Sequence, residues 1–197
     1  MNRLLILPAL LLTLLVGTPA FSGDLRKGLT AYKSGDYATA LRELEPLAEQ
    51  GDASVQTLVG GMYGLGQGVP QDHKTSVKWF RRAAKQGHAY SQSVLGFAYA
   101  NGRGVPQDYK TAVKWYRLAA EQGNATAQNN LGRFYVQGKG VIQDNVYAHM
   151  WWNIAASSGN KVAVENRDKI VKRMTPDQIA EAQKLARECV RKKYKGC

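Results

Sequence analysis

A five-residue phrase is spoken three times at a constant step. Gly68-Val69-Pro70-Gln71-Asp72 returns as Gly104-Val105-Pro106-Gln107-Asp108, and again, with Ile in place of Pro, as Gly140-Val141-Ile142-Gln143-Asp144; each copy lies 36 residues from the last. The neighbouring residues keep the same step: Gly60, Gly96 and Gly132; Tyr63, Tyr99 and Tyr135; Trp79, Trp115 and Trp151; Ala84, Ala120 and Ala156. A period of this size marks stacked supersecondary units, each too small to bury its apolar face except against the next. The chain is therefore read as a linear array rather than as a domain with one closed core.

Each unit reads as two helices. In the first, helix A, Val59, Leu95 and Leu131 form an apolar stripe with Met62, Ala98 and Phe134 and with the three tyrosines, at i, i+3 and i+4. Gly60, Gly96 and Gly132 fall inside that helix, where Gly costs about 1 kcal/mol relative to Ala. Their recurrence implies that a neighbouring helix, or its Trp, comes close to bare backbone. Gly66, Gly102 and Gly138 suit the left-handed position that ends a helix. Asp72, Asp108 and Asp144 suit the N-cap of the second, helix B. The phrase is thus a loop and a cap; a phosphate loop would lead its glycines into a helix start with a Lys in place. Helix B repeats small-x-x-Trp-x-x-x-Ala-Ala, with Lys74, Lys78, Arg81, Arg82, Lys85, Lys110, Lys114 and Arg117 read as its solvated side.

The ends differ. Arg3 followed by an apolar run from Leu4 to Val16, then small residues at Thr18, Ala20, Ser22 and Gly23, has the pattern of a secretory signal cleaved after Ala20 or Ser22; the run is shorter than the ~20 residues of a spanning helix. An uncleaved membrane anchor is the competing reading. The expected location is periplasmic or secreted, in a bacterium. Residues 23–52 read as an atypical, shorter hairpin, with Leu25, Leu29 and Tyr32 on one face, a break at Gly35-Asp36, and Pro46 expected to bend the second helix. Units follow at 53–88, 89–124 and 125–160. Residues 161–197 leave the period and read as a helical cap with a basic tail. That cap comprises a helix with Val162, Ile170 and Val171 apolar, a turn with Thr175 as N-cap and Pro176 at the first helical position, and a last helix with Ile179, Ala182, Leu185, Ala186 and Cys189 inward.

The net charge is +12, and residues 161–197 carry 11 basic and 5 acidic side chains. Such a balance suits an anionic cell-wall or membrane surface, or simply solubility; export argues against nucleic acid. Cys189 and Cys197 are the two cysteines, and in an oxidising compartment they can pair; free thiols or an intermolecular bridge are the alternatives. His73, His88 and His149 are scattered, so no metal and no cofactor are expected. Ser158-Gly159-Asn160-Lys161 matches the Ser-x-x-Lys of β-lactam-acylating enzymes, and Lys74-Thr75-Ser76 resembles their Lys-Thr-Gly. The two occur in the reverse of the enzymes' order, and the second recurs as Lys110-Thr111-Ala112. No catalytic residue is assigned.

Ala-x-x-Gln, the helix-A Gly, the Tyr, Gly-x-Gly-Val-x-x-Asp, Trp and Ala-Ala, in register over 53–159, resemble the Sel1-like repeat family, relatives of the tetratricopeptide repeat with a longer loop inside each hairpin. Residues 23–52 look like a tetratricopeptide-type hairpin. Asn166-Arg167-Asp168 through Met174-Thr175-Pro176 looks like the cap of exported members. The resemblance implies an all-α, right-handed superhelical solenoid of about four hairpins, and a role in binding proteins or envelope ligands without chemistry of its own. A cysteine-rich branch of the family is described as β-lactam-binding, but the repeats here contain no Cys.

The expected binding face is the concave side that helix A lines in the family. Positions fixed for packing recur, whereas positions used for recognition are free to vary. The varying helix-A positions are Thr57, Gly61 and Gly64; Ser93, Phe97 and Ala100; and Asn129, Arg133 and Val136. Thr57, Gly61, Ser93, Phe97, Asn129 and Arg133 are the candidate contacts to a protein segment; neutral drift would vary them in the same way. The competing readings are an anionic-surface binder acting through the basic cap and a β-lactam-binding protein. Partner identity and oligomeric state are left open.

Overall fold

The repeated phrase builds the same turn three times. Gly66, Gly102 and Gly138 end their helices in the left-handed conformation, at φ 71, 68 and 62°. The carboxylates of Asp72, Asp108 and Asp144 then accept the first free amides of the next helix. The backbone amide of each cap donates back across the loop to the repeat tyrosine's carbonyl, Tyr63, Tyr99 or Tyr135, at 2.9–3.0 Å. In the first two copies the phrase's Gln adds a side-chain bond to helix A, Gln71 to Gly64 at 2.7 Å and Gln107 to Ala100 at 2.8 Å. Local hydrogen bonding alone therefore closes each hairpin.

The computed structural model describes residues 23–197, so the secretory-signal reading of residues 1–22 lies outside the described residues. The described residues form ten helices and no strand: α1 (Leu25–Ser34), α2 (Tyr37–Glu49), α3 (Ala53–Leu65), α4 (His73–Lys85), α5 (Ala89–Asn101), α6 (Tyr109–Ala120), α7 (Ala125–Gln137), α8 (Asn145–Ser157), α9 (Lys161–Val171) and α10 (Pro176–Arg191). Consecutive helices from α1 to α9 pack on one another and α10 packs on α8, which makes the chain an all-α solenoid. None of these helices is long and apolar enough to cross a membrane.

The core follows the repeat. Val59, Leu95 and Leu131 are fully buried, as are Ala83, Ala119 and Ala155. Trp79 and Trp151 are buried, whereas Trp115 is half-buried. The ring that lies on the helix-A glycine belongs to the next residue along. A Cβ on Gly60 would meet the Trp79 Cβ at 3.2 Å and the Phe80 ring at 3.3 Å, one on Gly96 would meet Tyr116 at 2.5 Å, and one on Gly132 would meet Trp152 at 2.5 Å. The expected close approach is present: Trp79 shares it with Phe80 at Gly60, whereas at Gly96 and Gly132 Tyr116 and Trp152, each one residue past the repeated Trp, make it.

Three side-chain relations stitch unit to unit. Gln56, Gln92 and Gln128 each donate to the carbonyl eight residues earlier, of Ala48, Ala84 and Ala120, at 2.9–3.1 Å. The repeat tyrosines reach the previous helix B: Tyr63 donates to Glu45 at 2.9 Å, while Arg81 donates to Tyr99 at 2.9 Å and Arg117 to Tyr135 at 2.7 Å. Arg81 and Arg117, expected to be solvated, thus hold the next unit. The second loop glycine of each phrase lies against the first residue of the preceding helix B, so that a Cβ on Gly68 would sit 2.5 Å from the Tyr37 carbonyl oxygen. With φ at 75°, Gly68 is doubly required: by conformation and by contact.

The two ends depart from expectation in part. In α1, Gly28 and Ala31 are buried, and Leu25 and Leu29 are exposed, since α1 has only α2 to lie on. Helix α2 continues through Pro46 to Glu49. At the other end α9 keeps the repeat's step. Its N-cap Asn160 stands 36 residues after Asn124, as His88 and Asp52 precede it, and Ala163 and Ile170 are its buried residues, with Val162 exposed. The period therefore carries through one further helix A. Thr175 forms a capping box with Gln178, and Pro176 is the first residue of α10. Helix α10 then packs on α8, with Ala186 and Cys189 in the same core cluster as Trp151 and Ile154 and Ala182 also buried.

Candidate functional site

The site is the open side of the A helices. Phe97, on α5, is 46% exposed although it sits in the middle of the array. Three concavities meet at it. One, about 300 Å³, lies between α3, α4 and α5 and is lined by Gly61, Leu65, Phe80, Tyr90, Val94 and Arg103. A second, of about 220 Å³, has Tyr90, Ser93 and Asn130 in its wall. A third, of about 170 Å³, has Tyr109, Asn130, Arg133 and Lys139. Leu65 and Tyr90, at 68% and 58% exposure, are the other large apolar side chains left open on the first. Gly61 and Gly64 have no side chain to fill it, and nothing approaches Gly61 within 4 Å.

The structure sorts the six expected contacts. Gly61, Phe97 and Arg133 line open concavities. Ser93 is 6% exposed, at the edge of one. Thr57 and Asn129 do not belong to an open face. The Thr57 hydroxyl bonds the Ser91 hydroxyl at 2.6 Å and His88 Nδ1 at 3.2 Å, tying α3 to α5. Asn129 is 8% exposed; its side chain accepts from Asn166 at 3.2 Å and its carbonyl from Trp152 Nε1 at 3.0 Å. Both vary between units because the packing they serve varies. Leu65, Tyr90, Arg103 and Lys139 are site residues that sequence reasoning missed. The same criterion could have found Tyr90, which replaces Ser54 and Thr126, and Arg103 and Lys139, which replace Gln67 inside the Gly-x-Gly.

Aromatic and cationic groups face one another across the site. The Arg103 guanidinium lies 5.8 Å from the Phe97 ring centre and the Lys139 ammonium 5.1 Å from that of Tyr109, both within cation–π range. The nearby capping carboxylates are engaged by the backbone. Hydrogen bonds from the Thr75 hydroxyl and amide hold Asp72 below the usual carboxylate range, and Thr111 does the same for Asp108. Burial, followed by the bonded Glu45, pushes the Tyr63 phenol up to about 12, so it remains a hydrogen-bond donor.

Ser158 and Lys161 sit at the α8–α9 turn, both exposed, with the Ser158 hydroxyl donating to Ile154 at 3.4 Å. Among the described residues no group of three or more His, Cys, Asp or Glu could hold a metal ion. Cys189 and Cys197 are joined in a disulfide.

Tandem hairpins with an open, partly apolar helix-A face define a helical-repeat solenoid of the interaction-scaffold class. The Sel1 repeat family model matches residues 53–88, 89–124 and 125–160. The chain belongs to the Sel1 repeat family, whose members are in general protein–protein interaction scaffolds without catalysis. Two solved structures are similar. A Sel1 repeat protein from Oxalobacter formigenes is 38% identical over 66% of this chain and 97% of its own, with a TM-score of 0.60. The protein c5321, a protective antigen of uropathogenic Escherichia coli strains displaying an SLR fold, is 27% identical over 85% of this chain and 47% of its own, also at 0.60. The comparison with curated protein sequences returned no match.

Proposed function

We propose that the chain is an exported scaffold of the bacterial envelope that takes a segment of another protein across its helix-A face, centred on Phe97, and performs no chemistry itself. The observation that carries this reading is the placement of Phe97: a large aromatic ring, 46% exposed, where three concavities meet. An aromatic side chain in the interior of an array is ordinarily buried, and leaving Phe97 46% exposed forgoes roughly half of the ~1.5–3 kcal/mol that full burial would give. A partner side chain recovers it, in the manner of a binding hot spot.

The test is crosslinked capture from envelope extract by purified wild-type protein and by Phe97→Ala and Arg133→Ala variants whose circular dichroism matches the wild type. Capture of a defined partner that is lost in both variants supports the reading; undiminished capture removes Phe97 and Arg133 from the site. A second reading draws on Lys192, Lys193 and Lys195, all exposed on the loop that the disulfide closes: contact with an anionic cell-wall or membrane surface. Reversing those three charges should then abolish envelope retention while partner capture persists, and retention that does not change removes it.

A further inference from the structure

Resting on the reading of Phe97 as the centre of a protein-binding face, we infer that the segment taken there is acidic: an apolar or aromatic side chain flanked by Asp or Glu. Among the described residues, none that lines the three concavities around Phe97 is an Asp or Glu. Arg103 borders the first, and Arg133 and Lys139 border the third, so cations stand on both sides of the ring. Helices α3, α5 and α7 contain no Asp or Glu at all. The acids of the array are spent elsewhere. Asp72, Asp108 and Asp144 cap the B helices, Glu45 accepts from Tyr63, and Glu49 pairs with Arg82.

The three cations lack anionic partners of their own. Among the described residues none of them forms an ion pair; Arg103 lies over Phe97, Lys139 over Tyr109, and Arg133 donates to the Asn130 side-chain oxygen at 3.3 Å. A guanidinium held near a ring face keeps its N–H donors for an acceptor, and such a fork can grip a carboxylate with two parallel bonds. A peptide meeting all three would place its apolar side chain in the groove beside Leu65, Tyr90 and Phe97, and its acids at the rim. Like charges repel basic sequences from the same face, so the arrangement selects as well as binds. A polyphosphate strand would use the cations but leave Leu65, Tyr90 and Phe97 in water, and so fits the face less well than a peptide.

The probe is a random dodecapeptide display library selected on the purified protein, with two further targets: Phe97→Ala, and an Arg103→Glu/Arg133→Glu double variant that keeps Phe97. All three positions are at the surface, and matching melting curves would establish that the variants are folded. Peptides with Asp or Glu around an aromatic or aliphatic residue should be enriched on the wild type, be lost on Phe97→Ala, and give way to Lys- or Arg-bearing peptides on the double variant. In fluorescence anisotropy, replacing the acids of a selected peptide by Asn and Gln should weaken binding by about 10-fold at low salt, with the gap narrowing as salt rises. Phe97-dependent peptides without an acidic excess overturn this inference and leave the scaffold reading standing. Peptides indifferent to Phe97, or no enrichment on any target, count against both.

Discussion

Trp152 lies across Gly132, its indole Nε1 donating 3.0 Å to the carbonyl of Asn129, so that a methyl group on Gly132 would sit 2.5 Å from the same nitrogen. The contact joins a B helix to the A helix of its own unit where a ring needs bare backbone. It recurs with Tyr116 over Gly96, and more loosely with Phe80 and Trp79 beside Gly60.

Glycine-to-alanine substitutions should therefore divide by location. Gly96→Ala and Gly132→Ala should destabilise by about 1–3 kcal/mol, because a buried ring must move. Gly60→Ala, with its nearest atoms at 3.2–3.3 Å, should cost less than either. Gly61→Ala, with open space around it, should stabilise by up to about 1 kcal/mol through helix propensity. Urea titration of the four variants checks the order; equal effects would contradict the packing described.

A glutamine ladder runs along the array and stops one rung short. Gln86 donates to Gln56 Oε1 at 2.9 Å, and Gln122 donates to Gln92 Oε1 at 2.7 Å. The next position in step is Ser158, and among the described residues the buried Gln128 Oε1 has no hydrogen-bond partner. Ser158→Gln should complete the ladder and stabilise the protein by about 1 kcal/mol, while Gln122→Ala should orphan Gln92 and cost about 1–3 kcal/mol. Thermal melts of both variants test this, and a Ser158→Gln protein no more stable than the wild type would refute it.

His149 on α8 is 2% exposed, and among the described residues its Nδ1 has no hydrogen-bond partner. Burial pushes its imidazole down from the ordinary value; the nearby Arg167 adds to this, and Asp168 opposes it. The unfolded chain thus takes up the proton more readily than the folded one. The resulting stability is fully present above the unfolded imidazole's pKa of about 6.5 and is lost as pH falls through the lower, folded value. Melting temperature followed from pH 8 to 5 should fall more steeply for the wild type than for His149→Leu; parallel curves would show that His149 does not contribute.

The Cys189–Cys197 disulfide closes a short loop, in which Lys193 and Tyr194 take φ of 53 and 65° and the Tyr194 ring comes to lie over Gly123. The bond holds two non-glycine residues in left-handed backbone and brings the tail against the α6–α7 turn. Reduction should cost about 2–3 kcal/mol from the restored freedom of the unfolded chain. Amide exchange at the end of α10 should also rise. Exchange unchanged by a reducing agent would show that α10 and its tail are held by packing alone.

The hairpins were legible in the sequence because their causes are local. A left-handed glycine, a capping aspartate and an apolar stripe at helical spacing act within one turn of chain, and the 36-residue step repeats them in plain view. What lay beyond reach depends on how one unit sits on the next. Nothing in the spacing says that Tyr116 and Trp152, rather than the repeated Trp115 and Trp151, cover Gly96 and Gly132. Nor does it say that Thr57 and Asn129 are taken up between helices while Tyr90 and Arg103 stay open, or that α10 lies on α8. Those outcomes follow from the angle between stacked hairpins, which is set by the sum of many side-chain contacts between residues far apart in the chain. The sequence by itself determined the unit, though not that α9 continues its step. The tertiary structure alone decided which variable residues share the surface around Phe97, because a face is made by neighbours that stacking, not chain order, brings together.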